Sequence, residues 1–110
     1  MGKFIEDISI PYDEKEAVQR ISDWTKMEGV KLKVKSKKSN FVKLGGKVGV
    51  MGMRKGVTFE LTLNPGGIHA ECWVGGMIKE SIEPGIGWAG KLAKDSAWGQ
   101  YVSLKETLAT

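Results

Sequence analysis

The chain has little of what builds covalent or metal-held frameworks. Its 110 residues include one cysteine, Cys72, and one histidine, His69. A single cysteine excludes an internal disulfide and any site that needs several cysteines, and it favours a reducing compartment. A lone histidine is a poor basis for a catalytic triad or a zinc site. We therefore expect a cytoplasmic protein that holds no metal and no cofactor.

Long apolar runs are also missing. No stretch approaches the ~18 uncharged apolar residues of a membrane-spanning helix, and the opening residues, MGKFIED, place acids where a signal peptide needs an apolar run. We therefore expect no export and no membrane partner. Hydrophobic residues make up 41% of the sequence, which is enough for one core at this length, so residues 1–110 are expected to form a single domain.

Acidic side chains are absent from one long segment. Residues 30–59 hold nine basic side chains and no acid, whereas acids outnumber bases on either side of it. Such a segment creates a positive local potential, which makes nucleic acid or another polyanion a candidate partner. Lysines that alternate along an edge strand also discourage aggregation, and this structural role is the competing explanation. The candidate polyanion contacts are Lys31, Lys33, Lys35, Lys37, Lys38, Arg54 and Lys55.

A strand followed by a helix is predicted in the first 29 residues. The strand has its apolar residues at even positions, namely Phe4, Ile8 and Ile10. Asp13 with Glu16 three residues later is a variant of the capping box, so a helix is expected to begin there and to end at Gly29. Its apolar residues recur at helical spacing: Ala17, Val18, Ile21, Trp24 and Met27.

Strict alternation at residues 30–35 predicts the second strand, with Val30, Leu32 and Val34 facing the core and Lys31, Lys33 and Lys35 facing outward. Residues 36–40 are expected to form a polar turn. A further strand, interrupted by glycines, is expected from Phe41 to about Met51.

A hairpin is predicted around residues 64–67, whose sequence is NPGG, because alternating segments flank this turn on both sides. If those four residues form the loop, Leu63 opposes Ile68. The outward residues then pair as Thr58 with Trp73, Glu60 with Glu71, and Thr62 with His69. Cys72 points inward, and we expect it to be a buried and inert thiol.

A second helix is predicted at the C-terminal end. It would be capped by Asp95 or Ser96, and its apolar stripe consists of Ala97, Tyr101, Leu104 and Leu108. Residues 77–94 give no clear pattern. The predicted order is therefore β-α-β-β-β-β-α, an α+β domain in which an antiparallel sheet carries two helices on one face.

This order of elements resembles one half of the TATA-binding-protein fold. Ile10-Pro11 followed by the helical pattern of residues 13–24 is also similar to the start of helix-grip proteins of the START and Bet v 1 type. The first resemblance implies nucleic-acid binding by two such units, and hence a homodimer. The second implies a carrier that encloses a small apolar ligand between sheet and C-terminal helix, with Met51 and Met53 at its opening.

Two glycine motifs invite a phosphate-binding interpretation. Residues 85–90 match GxGxxG, but only 20 residues follow them and these predict a helix, so a simple loop is favoured over a dinucleotide site. Gly45-Gly46-Lys47 lacks the spacing of a Walker loop and the Ser or Thr after its lysine. Strand or bulge glycines explain it better.

The outward side chains of the hairpin are the remaining candidates. Glu60 opposite Glu71 could raise a pKa for acid–base chemistry or recruit a metal with His69. Neutralisation by lysines of a neighbouring strand, such as Lys31, Lys33 or Lys35, or simple solvation of the acids, is favoured instead. Trp73 beside His69 could stack on a base, contact a protein partner, or pack beneath residues 77–94. No nucleophile, base and charge-stabilising set emerges, so we expect a non-enzymatic binding module. A protein-interaction domain is the third alternative.

Overall fold

The computed structural model describes residues 2–49, 54–84 and 91–109. Strands and helices follow the predicted order, with one short strand added before the last helix. The elements are β1 (Phe4–Ser9), α1 (Glu14–Trp24), β2 (Leu32–Lys38), β3 (Phe41–Val48), β4 (Lys55–Asn64), β5 (Gly67–Val74), β6 (Glu80–Ser81) and α2 (Lys91–Ala109).

The strands form one antiparallel sheet in the order β1-β5-β4-β3-β2, and β6 pairs with β5 beyond the end of β1. Both helices pack on the same face of this sheet, where the alternating apolar side chains of the strands are buried. The predicted α+β class, with two helices on one face of an antiparallel sheet, is confirmed. The opposite face is called the open face below.

The hairpin between β4 and β5 has the predicted register. Leu63 pairs with Ile68, and Asn64 pairs with Gly67 one step further, so the loop itself consists of only Pro65 and Gly66. Gly66 has a φ of 80°, a conformation that residues with a side chain rarely adopt. The outward pairs predicted from the alternation are therefore all present.

Helix α1 begins as predicted but ends earlier. The Asp13 side chain accepts a hydrogen bond from the Glu16 amide at 2.8 Å, which caps the helix. The helix ends at Trp24 instead of near Gly29. Met27 consequently lies beyond the helical stripe and is 52% exposed, so its predicted place in the core is wrong.

Helix α2 joins α1 on the sheet through both apolar and polar contacts. It begins at Lys91, so Asp95 and Ser96 lie inside the helix and the predicted caps are wrong. The predicted stripe is fully buried and is extended by Ala93. The indole nitrogen of Trp24 donates to Ser103 Oγ at 3.0 Å, which links the two helices where they touch.

Strand β2 begins at Leu32, two residues later than predicted, extends further to Lys38, and contains a bulge. The pairing with β3 continues to Lys38 opposite Phe41, so the turn between them is Ser39-Asn40 and the predicted turn at residues 36–40 is too long. Lys35 is an extra residue between the pairs Val34–Leu44 and Ser36–Lys43. A bulge of this kind changes which face the following side chains occupy.

The chain passes very close to β3 as it enters β2. A side-chain carbon at Gly46 would overlap the carbonyl oxygen of Lys31, so this position has no room for any other residue. Gln100 of α2 also fixes the segment just before β2. Its side chain accepts a hydrogen bond from the Lys31 amide at 2.9 Å and donates one to the Gly29 carbonyl at 3.1 Å.

We predict opposite effects for two glycine substitutions. Gly46→Ala should lower the free energy of unfolding by about 2–3 kcal/mol, because β2 must move away from β3. Gly99→Ala, in the interior of α2 with open space around it, should raise it by about 0.5–1 kcal/mol through better helix propensity. Urea denaturation measures both, and a neutral Gly46→Ala would contradict the close approach.

Candidate anion-binding face

The open face consists of the side chains that alternate with the core residues along each strand. Rows of these side chains cross the sheet in register, and one row runs from Lys43 on β3 through Glu60 and Glu71 to Ile5 on β1. Residues opposite each other in such a row have Cβ atoms roughly 5 Å apart. The face therefore brings together charges that lie far apart in the sequence.

Cations dominate the half of the open face formed by β2 and β3. We call this group the basic strip, and it consists of Lys35, Lys38, Lys43 and Lys47. The aliphatic part of Lys35 crosses β3 at Gly45, with its Cγ only 3.0 Å from where a side-chain carbon of Gly45 would lie. Within residues 2–49, 54–84 and 91–109, no salt bridge joins Lys35, Lys38 or Lys47 to an acid.

The half formed by β5 and β1 carries a connected set of ion pairs. His69 lies between two carboxylates, with Nδ1 2.7 Å from Asp7 Oδ1 and Nε2 3.1 Å from Glu71 Oε2. Lys3 Nζ donates to the other oxygen of Glu71 at 3.0 Å. Both ring nitrogens of His69 face acceptors, an arrangement that suits the doubly protonated ring.

These contacts shift the pKa values of their members. Hydrogen bonds to Asp7 and then to Glu71 raise the pKa of His69 above its ordinary value of 6.5. Hydrogen bonds from Lys3 and then from His69 lower the pKa of Glu71. Each shift favours the charged form, so Lys3, Asp7, His69 and Glu71 form a mutually neutralised group.

Glu60 opposes Glu71 as predicted, but the neutralising cations differ from those expected. Lys43 Nζ lies 3.9 Å from Glu60 Oε2, and Lys3 Nζ lies 3.0 Å from Glu71 Oε1. The predicted neutralisation by the lysines of residues 30–35 is wrong because β3 separates their strand from β4, while β1 brings Lys3 beside β5. The acids therefore leave most of the basic strip uncompensated.

The seven predicted polyanion contacts occupy different surfaces. Lys35 and Lys38 belong to the basic strip, whereas Lys37 pairs with buried Val42. Both Lys37 and Lys38 line a groove beside α1. Lys33 Nζ donates to the Thr25 carbonyl at 3.0 Å, at the sheet edge next to α1. The remaining three, all exposed, are Lys31 before β2 and Arg54 and Lys55 at the start of β4.

Trp73 occupies the open face by register but is only 5% exposed. Lys3 Nζ and Lys79 Nζ lie over its ring at 4.8 and 4.5 Å from the centroid. Of the three alternatives for this side chain, packing beneath the segment after β5 is the one observed. His69, the other predicted contact on this face, is half-buried and keeps part of its ring accessible.

One polar cluster was missed by the pattern analysis. Glu6 of β1 lies on the face covered by the helices, where the buried Tyr101 hydroxyl donates to its Oε1 and Lys105 Nζ donates to the same oxygen at 2.9 Å. Hydrogen bonds from Tyr101 and then from Lys105 lower the pKa of Glu6. An acid at an even position between Phe4 and Ile8 was the available signal.

The space between α2 and the sheet is filled by side chains. Tyr101 makes edge contacts with Phe4 and Phe59 at centroid distances of 5.3 and 5.8 Å, and Trp98 adds a further ring. Cys72 is buried beside them, as predicted, and burial raises the pKa of its thiol. In a helix-grip carrier the ligand would lie between sheet and C-terminal helix, which is where these rings pack. Carriage of an apolar ligand stays a prediction.

The described residues contain no group of three or more His, Cys, Asp or Glu side chains that could hold a metal ion. Among the described helices, none is long and apolar enough to cross a membrane. The glycine motif at residues 85–90 and the two methionines proposed for a ligand opening lie outside the described residues. Gly45-Gly46-Lys47 lies within β3, as strand glycines.

Comparisons with protein families, curated proteins and solved structures bear on the two predicted resemblances. No family model, no curated protein and no solved structure matches the chain. The resemblances to the TATA-binding and helix-grip folds accordingly stay predictions, and function has to be argued from the open face itself.

We predict that His69 makes stability depend on pH near neutrality. Because its pKa is raised in the folded state, the stabilisation is complete below 6.5, where the ring is charged in both states, and is lost as the pH rises through the raised value. Thermal denaturation midpoints should therefore be higher below 6.5 than well above it.

His69→Gln should remove most of this difference, because a glutamine side chain does not titrate. Asp7→Asn should reduce it, since the largest contribution to the shift is lost. A wild-type midpoint that rises as the pH increases through this range would contradict the assignment.

Proposed function

We propose that the chain is a non-enzymatic binding module for nucleic acid or another polyanion, and that the basic strip is its contact surface. The observation that carries the proposal is the uneven neutralisation of the open face. Acids on β5 and β1 are paired with Lys3 and His69, whereas Lys35, Lys38 and Lys47 are exposed without an acid partner among the described residues. Exposed cations in one group are what phosphate contacts require.

The geometry of the strip supports a polymer in preference to a single small anion. Lys43 and Lys47 are four residues apart on one strand, which corresponds to roughly 13 Å along β3. Lys35 lies on the neighbouring strand beside them, and Arg54 adds an exposed cation just before β4. Lys55 pairs with buried Val48 and so lies on the other side of the sheet. A chain of phosphates would contact several of these cations at once, and each contact releases counterions.

The proposal also includes a compartment and an oligomeric state. We place this binding in the cytoplasm, the compartment that a single cysteine favours. A homodimer would double the number of cations available to one polymer, and multivalent contact of this kind raises affinity without any new type of interaction.

Charge reversal should distinguish the basic strip from the net charge of the chain. Lys35→Glu with Lys47→Glu should weaken binding of labelled DNA and RNA at low salt by about fivefold or more, and should reduce the slope of log affinity against log salt by about 1–2. Fluorescence anisotropy over a range of salt concentrations measures both quantities.

The matched control is Lys15→Glu with Lys26→Glu, which changes the net charge equally on the exposed surface at and after α1. It should leave the slope close to that of the wild type. An equal loss in both double variants would show that net charge, and not the strip, governs binding. No binding of any polyanion at low salt would end the proposal.

A further inference from the structure

An aromatic ring lies among the cations of the open face. Phe41 begins β3 and pairs with Lys38 on one side and with Thr62 on the other. It is half-buried and neither belongs to the hydrophobic core cluster, as Phe59 does, nor packs against it, as Phe4 does. Its neighbour on the core side of the strand, Val42, is buried, which places the Phe41 ring on the open face.

The cations around Phe41 are placed for contacts with a backbone, and the ring for contact with a base. Lys38 lies directly across from it, at a Cβ separation of roughly 5 Å, and Lys43 follows two residues later, roughly 7 Å along the strand. Stacking on an aromatic ring is available to every base because each has a π-face. Thr62 beside the ring adds a hydroxyl that both donates and accepts.

We propose that the ligand of this face is a single-stranded nucleic acid, with one base stacked on Phe41 and an adjacent phosphate on Lys38. This inference rests on the proposed polyanion binding and names its substrate class. In a duplex the bases stack on one another, so engaging Phe41 would require the protein to unstack a step at a cost of free energy. A polyanion without bases leaves the ring unused.

The test compares four ligands with wild type and Phe41→Val, which removes the ring but keeps a residue suited to strands. The ligands are a short oligothymidylate, an oligouridylate of equal length, a DNA duplex of that length, and inorganic polyphosphate. Phe41→Val should weaken binding of the two single strands by roughly 5- to 100-fold and leave polyphosphate affinity unchanged.

Two controls separate stacking from a loss of structure. Phe41→Tyr keeps an aromatic face and should bind the single strands like the wild type. Ile5→Val changes an exposed apolar side chain on the neutralised half of the same face and should have no effect. Thermal denaturation of each variant verifies the fold, and ultraviolet crosslinking of oligothymidylate to the wild type, mapped by mass spectrometry, should identify Phe41 without any substitution.

The outcomes are distinguishable from those of the proposed function. Tighter binding of the duplex, equal losses for single strands and polyphosphate in Phe41→Val, or crosslinks only elsewhere would overturn base stacking while polyanion binding stands. Failure of the wild type to bind any of the four ligands at low salt would overturn both.

Discussion

The pairing of Leu63 with Ile68 determines which side chains of the central hairpin meet solvent. Because side chains alternate along a strand, a slip of one residue would move Leu61 and its neighbours into water and would force Glu60 towards the helices. Burying an unpaired carboxylate costs several kcal/mol, so the alternation enforces a single register. The rows that join β4 and β5 on the open face, including Glu60 opposite Glu71, follow from this constraint.

The bulge in β2 then determines on which side of the sheet each lysine of this strand lies. Without Lys35 as an extra residue, strict alternation would place Lys33, Lys35 and Lys37 on one face and crowd their charges. The bulge sends Lys37 towards α1 and leaves Lys35 lying over Gly45. Like charges within a Debye length of about 8 Å repel at physiological salt, and the division reduces that repulsion while keeping a strip for ligand.

Local signals in the sequence were sufficient for part of this structure. The Asp13 cap, the apolar stripes and the NPGG turn each act over a few residues, and they correctly predicted the start of α1, the element order apart from β6, and the central register. The pairing of β1 with β5 joins residues far apart in the sequence, so no local pattern indicated that Lys3 would neutralise Glu71. The same distance hid the contact of Glu6 with Tyr101.

The division of the lysines was equally hard to foresee. A bulge leaves the alternation of Val30 to Val34 intact, and its position depends on how β3 accommodates Lys35 at a glycine. Phe41 was predicted only as the first residue of a strand, and its place on the open face required the parity of β3. Which face a side chain occupies and which strand lies beside it depend on the pairing of the whole sheet. The sequence of one strand alone therefore does not predict them.

The position of β1 has a consequence for how the polypeptide is made. Its hydrogen-bonding partner, β5, leaves the ribosome only after the whole basic segment has been synthesised, so the first strand must wait without a sheet to join. During that interval Phe4 and Ile8 have no apolar surface to cover them, while Glu6 and Asp7 between them keep the nascent segment hydrated. The acids that contact Tyr101 and His69 in the folded protein are thus also the charges that lie between the apolar residues of this strand before it has a partner.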